Sequence, residues 1–282
     1  MTNHVIQGDV RDVLPTLDAG SVQCVVTSPP YWGLRDYGVE GQIGLEPTPD
    51  AYITTLVAVF REVRRVLRDD GTVWLNLGDS FMDKQLQQIP ARVALALQAD
   101  GWYLRSDIIW AKGLSFCPSY AGSVMPESCT DRPTSAYEHV FLLTKQARYY
   151  YDVEAVRETA VGCGGGPYSD KTHAARRGVV SGGNHSGQPS PATARNLRNV
   201  WAINPQPFRE AHFATFPMAL VEPCIRAGSR AGDTILDPFA GSGTTGIVAA
   251  RHGRAFVGIE LNPDYAALSE DGIEGPLFAR TP

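Results

Sequence analysis

The spacing of hydrophobic residues changes repeatedly along the N-terminal half of the chain, and each change marks a predicted element. Short apolar runs rich in β-branched residues predict buried strands at HVIQGD, SVQCVVTS, TVWLNLGD and YLRSDIIWAK. Apolar residues at helical spacing predict a long amphipathic helix from Asp50, its N-cap, to Gly71, and a second helix at IPARVALALQADGW. A hairpin or a pair of strands is predicted for YEHVFLLTKQARYYYD.

The same alternation returns after position 200. The pattern predicts a helix at FPMALVEPCIRAG, a strand at TILDP, a glycine-rich turn at FAGSGTTG, a helix at TGIVAARHG and a strand at AFVGIEL. Strands that alternate with helices in this way are typical of a parallel sheet with helices on both faces. The sequence therefore predicts an α/β fold.

Between these two regions lies a stretch without usable periodicity. It runs from Val161 to Arg195 and is rich in Gly, Ser, Pro, Asn and basic residues, which is typical of a long loop or small insertion. From Lys171 to Arg209 the chain contains Lys and Arg but no Asp or Glu, although the formal net charge is -5. A local basic surface can hold a phosphate backbone on an acidic protein, but a solvated loop would have the same composition.

The composition limits the remaining classes. The 282 residues are 43% hydrophobic and 20% charged, as in a globular protein with a sizeable core. Because we find neither a signal-peptide pattern nor an apolar run of membrane-spanning length, we expect a cytoplasmic protein without a membrane partner. The five cysteines form no CxxC pair, which argues against a zinc site and a disulfide framework, and we expect no metal.

The glycine-rich turn lies between a predicted strand and a predicted helix. Gly241 and Gly243 allow the backbone to turn tightly and a ligand to approach it closely. Thr244 and Thr245 begin the helix, where free amides can receive a carboxylate or a ribose. Glu260 ends the next strand, where an acidic residue usually binds ribose hydroxyls. The glycines in GSGTTG have GxGxxG spacing, but the dinucleotide fingerprint is not matched well because Asp237-Pro238-Phe239 precedes them. No P-loop lysine follows, and a plain tight turn is the alternative.

A second motif, TSPPYW, ends the strand SVQCVVTS. Methyl transfer to an exocyclic base amine is difficult because the nitrogen lone pair is delocalised into the ring. Two acceptors aimed at the amine hydrogens would free this lone pair, and the Ser28 hydroxyl and the Pro29 carbonyl can form such a pair. Pro29 and Pro30 make the corner rigid, and Tyr31 offers a ring for a base that has left the duplex. A strand-ending turn followed by core aromatics is the alternative.

These motifs together resemble the β-class amino-methyltransferases of DNA, in which the catalytic motif precedes the cofactor motif. The catalytic motif is matched by VVTSPPYWGL, and the two cofactor motifs by ILDPFAGSGTT and VGIEL. The resemblance covers nearly the whole chain and implies a Rossmann-like methyltransferase fold with a doubly wound, mostly parallel seven-stranded sheet. The permuted order would bring HVIQGD beside AFVGIEL. Residues 1–156 and 201–282 would be the catalytic and cofactor-binding halves of one domain, and residues 157–200 an inserted target-recognition region.

The resemblance also implies roles for individual residues, with S-adenosylmethionine as the cofactor. The catalytic residues would be Ser28, Pro29, Pro30 and Tyr31. Cofactor binding would involve a larger set: Asp9, Thr27, His212, Phe213, Phe216, Pro217, Asp237, Pro238, Phe239, Ala240, Gly241, Ser242, Gly243, Thr244, Thr245, Glu260 and Leu261. Phosphate contacts to double-stranded DNA would come from Arg176, Arg177 and Arg195.

The first residue of the catalytic motif bears on the substrate. Family members that begin this motif with Ser mostly modify cytosine at N4, and those that begin it with Asp mostly modify adenine at N6. Ser28 therefore favours cytosine in a specific duplex sequence, while N6-adenine methylation remains the alternative because both amines present the same two hydrogens. Direct attack on a sulfonium methyl needs no covalent intermediate, so we expect none of the five cysteines to act as a nucleophile.

Two further functions remain open at this level. One is methyl transfer to RNA or to a protein amide, against which the permuted order favours DNA. The other is a non-catalytic nucleic-acid-binding module, against which the intact Ser28, Asp237, Gly241 and Glu260 argue. The sequence leaves open the recognition site, a cognate restriction endonuclease and the oligomeric state, a dimer included.

Overall fold

The structure, a computed structural model, describes residues 3–117, 120–122, 124, 127–159, 194–205 and 216–274. Within this part of the chain the α-helices are α1 (Val10–Val13), α2 (Pro49–Val66), α3 (Ile89–Ala99), α4 (Met218–Gly228), α5 (Thr244–Arg251) and α6 (Pro263–Glu274). The strands are β1 (Asn3–Gln7), β2 (Val22–Thr27), β3 (Leu67–Leu77), β4 (Phe81–Met82), β5 (Gln85–Leu86), β6 (Tyr103–Ala111), β7 (Tyr137–Thr144), β8 (Glu158–Thr159), β9 (Ala194–Arg195), β10 (Val200–Ala202), β11 (Thr234–Asp237) and β12 (Ala255–Glu260). None of these helices is both long and apolar enough to cross a bilayer.

Eight of the strands form one sheet in the order β1-β12-β11-β2-β3-β7-β6-β10. Neighbours are parallel except for β7, which is antiparallel to both β3 and β6. The predicted mostly parallel α/β sheet is confirmed, but the described residues give it eight strands rather than seven. The additional strand, β10, has three residues and pairs with the carboxyl end of β6. So short a segment has no periodic signal in the sequence.

The first strand of the chain pairs with a strand from its other end. β1 runs parallel to β12, with Gln7 opposite Glu260, as the permuted motif order predicts. Because β1, β12, β11 and β2 are consecutive parallel neighbours, the turns that follow them lie at the same edge of the sheet. Asp9, Ser28 and Pro238 lie in these turns. Strand order, and not chain order, therefore brings the motifs together.

Helices cover both faces of this sheet. Successive side chains of a strand point to opposite faces, and Val25 of β2 packs in one hydrophobic cluster with Leu56 and Phe60 of α2. Its neighbour Cys24 points the other way, with its Sγ 3.9 Å from the carbonyl oxygen of Cys224 in α4. The sheet is therefore doubly wound, as the resemblance implies.

Helix α2 begins and ends earlier than the sequence pattern predicts. Its N-cap is Thr48 and not Asp50. The Thr48 hydroxyl oxygen accepts a hydrogen bond from the Ala51 amide in the first turn. Pro49 follows the cap, where its missing N–H has no partner to lose. The helix ends at Val66 because β3 begins with the next residue and pairs there with β2. Gly71, the predicted helix end, consequently lies inside a strand.

Two further elements differ from the sequence predictions. The segment YEHVFLLTKQARYYYD contributes one strand, β7, and not a hairpin. Both edges of β7 are already paired, with β3 and with β6, so the residues that follow it have no free edge to fold back on. Helix α6 is absent from the predictions, although the Asn262 side chain marks its start by accepting a hydrogen bond from the Asp264 amide.

The described residues divide into two compact units, one within residues 153–197 and the other within residues 1–152 and 198–282. The described part of this smaller unit contains a 3₁₀ turn at Glu154–Val156 and the antiparallel pair of β8 and β9. In that pair the Arg195 guanidinium donates a hydrogen bond to Glu158 at 2.9 Å, so a carboxylate already partners this predicted DNA contact. Arg176 and Arg177 lie outside the described residues. Target recognition by this region stays a prediction.

Gly228, the last residue of α4, packs against the sheet where a side chain has no room. A methyl group at this position would overlap the Thr72 hydroxyl and lie 2.8 Å from Cys24 Sγ. We expect Gly228→Ala to lower the free energy of unfolding by about 1–3 kcal/mol, measured by urea denaturation. Ala219→Ser, at an exposed position of the same helix, is the control. Equal stability of the two variants would contradict this packing.

Candidate active site

The turns at the carboxyl ends of β1, β2, β11 and β12 border a cavity of about 350 Å³. Its wall contains all four residues of the SPPY corner, Ser28 to Tyr31, and the turn from Pro238 to Ser242. Two motifs that are far apart in sequence therefore face one space. This is the edge at which open α/β sheets generally bind ligands.

The residues predicted to bind a cofactor fall into three groups. Those that line the cavity are Asp9, Phe216, Pro238, Phe239, Ala240, Gly241, Ser242, Thr244, Glu260 and Leu261. Those that do not line it are Thr27, Pro217, Asp237, Gly243 and Thr245, so the geometry offers them no direct contact with a ligand in this cavity. His212 and Phe213 lie outside the described residues.

Asp237, one of the residues predicted to bind the cofactor, does not line the cavity. Its side chain is buried, with the residue 1% exposed, and lies behind the cavity wall. Its Oδ1 accepts hydrogen bonds from the Thr27 hydroxyl at 2.7 Å and the Phe239 amide at 3.1 Å. Its Oδ2 accepts one from the Thr245 hydroxyl at 2.7 Å. The carboxylate therefore ties the end of β2, next to Ser28, to the glycine-rich turn and to α5, and it positions both motifs.

Glu260 lines the cavity with its carboxylate held by main-chain donors. Oε2 accepts a hydrogen bond from the Gly241 amide at 2.8 Å, and Oε1 accepts one from the Asn262 amide at 2.9 Å. Gly241 has a φ of +53°, a conformation that favours glycine, and no atom lies within 4 Å of where its Cβ would stand. Burial raises the pKa of Glu260. Each oxygen keeps lone-pair capacity for a ligand hydroxyl.

Asp9 is the N-cap of α1 and faces the same cavity. Its carboxylate accepts hydrogen bonds from the Arg11 amide at 2.8 Å and from the Arg11 guanidinium. The side-chain hydrogen bonds from Arg11 lower the pKa of Asp9, so the group is charged at neutral pH. Arg11 also donates to the Gly41 carbonyl at 2.7 Å and thereby fixes a loop that lines the cavity.

The two proline carbonyls of the SPPY corner differ in their hydrogen bonds. The Tyr52 hydroxyl donates a hydrogen bond to the Pro30 carbonyl at 2.8 Å. None of the described residues donates one to the Pro29 carbonyl. The ring of Tyr31 packs against Gly78, since a Cβ at Gly78 would lie 2.5 Å from the ring. The corner is thus rigid, and the Pro29 carbonyl keeps its acceptor capacity.

A polar cluster beside this corner is absent from the sequence predictions. The Tyr31 hydroxyl donates to Glu138 Oε2 at 2.7 Å, and Asn76 Nδ2 donates to both groups at 2.7 Å. Lys112 Nζ pairs with the other oxygen of Glu138. Asn76 lies on β3, Glu138 lies on β7 and Lys112 directly follows β6, and no motif marks them in the sequence. Only the strand order of the folded sheet brings Glu138 and Lys112 to the cavity wall and Asn76 within hydrogen-bond distance of Glu138.

The described cysteines and acidic residues favour no other chemistry at this site. Pro223-Cys224 is a Pro-Cys pair of the kind that a cytosine C5 methyltransferase would use, but it lies inside α4 and does not line the cavity. Burial raises the pKa of the Cys224 thiol well above its usual range and that of Cys24 to about 12. Among the described residues, no group of three or more His, Cys, Asp or Glu side chains is placed to hold a metal ion.

A doubly wound sheet with permuted motifs, and one cavity shared by a glycine-rich turn and an SPPY corner, define a Rossmann-like methyltransferase of amino groups. The chain belongs to the N6_N4_Mtase family of DNA methylases, whose model matches residues 22–271. It is therefore a DNA amino-methyltransferase of the N4 or N6 type.

The similarity to known proteins extends over most of the chain. Type II methyltransferase M.XycI of Xanthomonas campestris pv. cyanopsidis is 44% identical over 300 residues, covering 96% of this chain and 87% of that protein. TTHA0409 of Thermus thermophilus, solved in complex with S-adenosyl-L-methionine, is 27% identical with a TM-score of 0.64, covering 97% of each chain. PvuII DNA methyltransferase (cytosine-N4-specific) has a TM-score of 0.70 over 98% of this chain and 88% of that one; at 22% identity it shows the fold alone.

Asp237→Asn would remove a buried charge and keep the shape of the side chain. Burial raises the pKa of Asp237 to about 6, so the folded state favours the protonated acid and wild-type stability is lost as the pH rises through this value. An amide Oδ1 can still accept hydrogen bonds from Thr27 and Phe239. Between pH 5 and 7 we expect the wild type to lose roughly 1 kcal/mol of unfolding free energy relative to Asp237→Asn, measured by urea denaturation.

Asp18→Asn, which changes an exposed carboxylate in the same way, is the matched control for this experiment. We expect this surface change to leave the free energy of unfolding within about 0.5 kcal/mol of the wild type. A constant difference between wild type and Asp237→Asn from pH 5 to 7 would contradict the buried position of the Asp237 carboxylate.

Proposed function

We propose that this protein transfers a methyl group from S-adenosylmethionine to the exocyclic N4 amine of cytosine in a specific sequence of duplex DNA. The observation that carries the proposal is that Ser28 and Gly241 line one cavity of about 350 Å³. Direct transfer requires that the site for the amine and the turn that binds the methyl donor face the same small space. Membership in the DNA methylase family supports DNA, rather than RNA or a protein amide, as the substrate.

The cavity has the donors and acceptors that S-adenosylmethionine needs. Glu260 is suited to ribose hydroxyls, because its fixed oxygens keep acceptor capacity on the cavity side. The open space at Gly241 allows close approach to the backbone. Phe239 and Phe216 supply apolar wall. When bound, the cofactor supplies a methyl group activated by its sulfonium charge. The complex of TTHA0409 with S-adenosyl-L-methionine supports the same cofactor for this chain.

The protein's part in the reaction is to hold and orient one amine. The target base leaves the duplex to reach the cavity. The Ser28 hydroxyl and the Pro29 carbonyl accept hydrogen bonds from the two amine hydrogens, which moves the nitrogen lone pair out of conjugation and toward the methyl group. The base stacks on Tyr31, as the motif implies. Because the corner is fixed by Tyr52 and Gly78, little reorganisation is needed during the reaction.

Ser28 supports cytosine as the target base. A neutral hydroxyl at the start of the catalytic motif is typical of the N4-cytosine members of the family, whereas a carboxylate is typical of the N6-adenine members. An N6-adenine methyltransferase is the alternative, since both bases carry an amine with two hydrogens. The similarity of this chain to the Type II methyltransferase M.XycI supports a role beside a restriction endonuclease that recognises the same DNA sequence.

The test of the base is direct. The protein is incubated with duplex DNA and methyl-labelled S-adenosylmethionine, the DNA is digested to nucleosides, and the products are separated by mass. We expect the label on N4-methylcytosine. Label on N6-methyladenine would replace cytosine by adenine, and label found only on RNA or protein would refute DNA as the substrate.

Ser28→Ala removes one of the two acceptors for the amine and leaves the residues of the glycine-rich turn unchanged. We expect its affinity for S-adenosylmethionine, measured by calorimetry, to stay within about threefold of the wild type, while turnover falls by on the order of 10²-fold or more. Ser21→Ala, at an exposed position before β2, is the control and should keep full turnover. Equal losses of cofactor binding and turnover in Ser28→Ala would show that the two motifs do not divide the work in this way.

A further inference from the structure

The Ser28 hydroxyl is the first member of a hydrogen-bond chain that ends at a carboxylate. Ser28 Oγ lies 3.2 Å from the Tyr31 hydroxyl, and this hydroxyl lies 2.7 Å from Glu138 Oε2. The other oxygen of Glu138 pairs with Lys112. The side chains of Glu138 and Lys112 are only 14% and 23% exposed. Water therefore screens this pair much less than it would screen a surface pair.

The direction of each hydrogen bond in this chain follows from the available donors. Glu138, paired with the Lys112 ammonium, is a carboxylate and can only accept. Tyr31 has one hydroxyl hydrogen, and the closer and charged acceptor is Glu138 at 2.7 Å rather than Ser28 at 3.2 Å. Tyr31 therefore donates to Glu138, and its oxygen is left to accept.

Asn76 reinforces this direction. Its Nδ2 lies 2.7 Å from both the Tyr31 hydroxyl and Glu138 Oε2. A flipped amide would place its oxygen at the same distance from the carboxylate, and two acceptors would then repel each other. Asn76 consequently donates to both groups. Because the single hydrogen of the Tyr31 hydroxyl goes to Glu138, the Tyr31 oxygen can only accept a hydrogen bond from Ser28.

These directions decide what Ser28 presents to the cavity. The Ser28 hydrogen points inward to the Tyr31 oxygen, and the lone pairs of Ser28 remain for a ligand. A serine hydroxyl without this constraint could rotate and present its hydrogen to the amine, which would oppose the hydrogens of the base. The network thus holds the neutral serine in the role of a hydrogen-bond acceptor.

We propose that Glu138 is a positioning residue for methyl transfer: through Tyr31 it orients Ser28 as an acceptor for the amine and receives the proton that the amine loses. The proposal rests on the proposed methylation of an exocyclic amine, but not on which base carries it. Glu138 is suited to the task because Lys112 and Asn76 fix both of its oxygens.

The proton transfer balances without another reactant. The amine lone pair forms the new N–C bond, and the S–C bond breaks with its electron pair left on sulfur. The methylated nitrogen then gives one proton to Ser28 Oγ and keeps the N–H electron pair. The Ser28 hydrogen moves to Tyr31, and the Tyr31 hydrogen moves to Glu138, which later releases the proton to solvent.

The test compares Glu138→Gln, Tyr31→Phe and the double variant in single-turnover methylation at saturating cofactor and DNA. Glutamine can donate to Tyr31 and reverse the chain, and phenylalanine interrupts it. We expect each single variant to lose on the order of 10²-fold in rate, with KM for DNA and cofactor within about threefold. The double variant should be no slower than the slower single variant, because both changes remove the same chain.

Asp107→Asn is the matched control. Asp107 lies on β6, and its Oδ1 is 2.9 Å from Nδ1 of His139, the residue that follows Glu138 in the sequence. This carboxylate-to-amide change should leave the rate within twofold of the wild type. Multiplied losses in the double variant, or a wild-type rate in Tyr31→Phe, would overturn the proposal even if Glu138→Gln does not fold. A wild type that methylates adenine would refute the proposed base, and the same rate comparison would still decide the role of Glu138.

Discussion

A buried carboxylate joins the two halves of the active site. Asp237 has almost no access to water, and burying a carboxylate is unfavourable unless donors surround it. Thr27, Phe239 and Thr245 supply those donors from the end of β2, the glycine-rich turn and α5. Because Thr27 immediately precedes the SPPY corner, the position of the catalytic motif depends on the same carboxylate that shapes the cofactor turn.

The acidic groups that line the cavity share one design, since each carboxylate is held by other groups of the protein. Arg11 holds Asp9, main-chain amides hold Glu260, and Lys112 holds Glu138. Acceptors that are already oriented need not reorganise when a ligand arrives, and their electrostatic effect is large where water is scarce. The cavity is therefore prepared for a ligand that brings hydroxyl, amine and cationic groups.

Much of the fold could be predicted because its signals are local. The β-branched run of β2 and the helical spacing in α2 depend on neighbouring residues, and the resemblance correctly placed β1 beside β12. The errors arose where pairing overrode local preference. β3 begins at position 67 because β2 lies beside it, and β7 remains single because both of its edges are occupied. Strand β10 is too short to produce any pattern.

The site shows the same division. The sequence by itself determined the glycine-rich turn and the SPPY corner, because a tight turn and a proline corner are properties of consecutive residues. Only the tertiary structure decided that Asp237 lies behind the cavity wall, and that Asn76, Lys112 and Glu138 meet beside Tyr31. Asn76 and Glu138 lie on separate strands and Lys112 directly follows a third. Which side chains meet across a sheet depends on strand order and register. Strand order and register cannot be predicted from any short stretch of the chain.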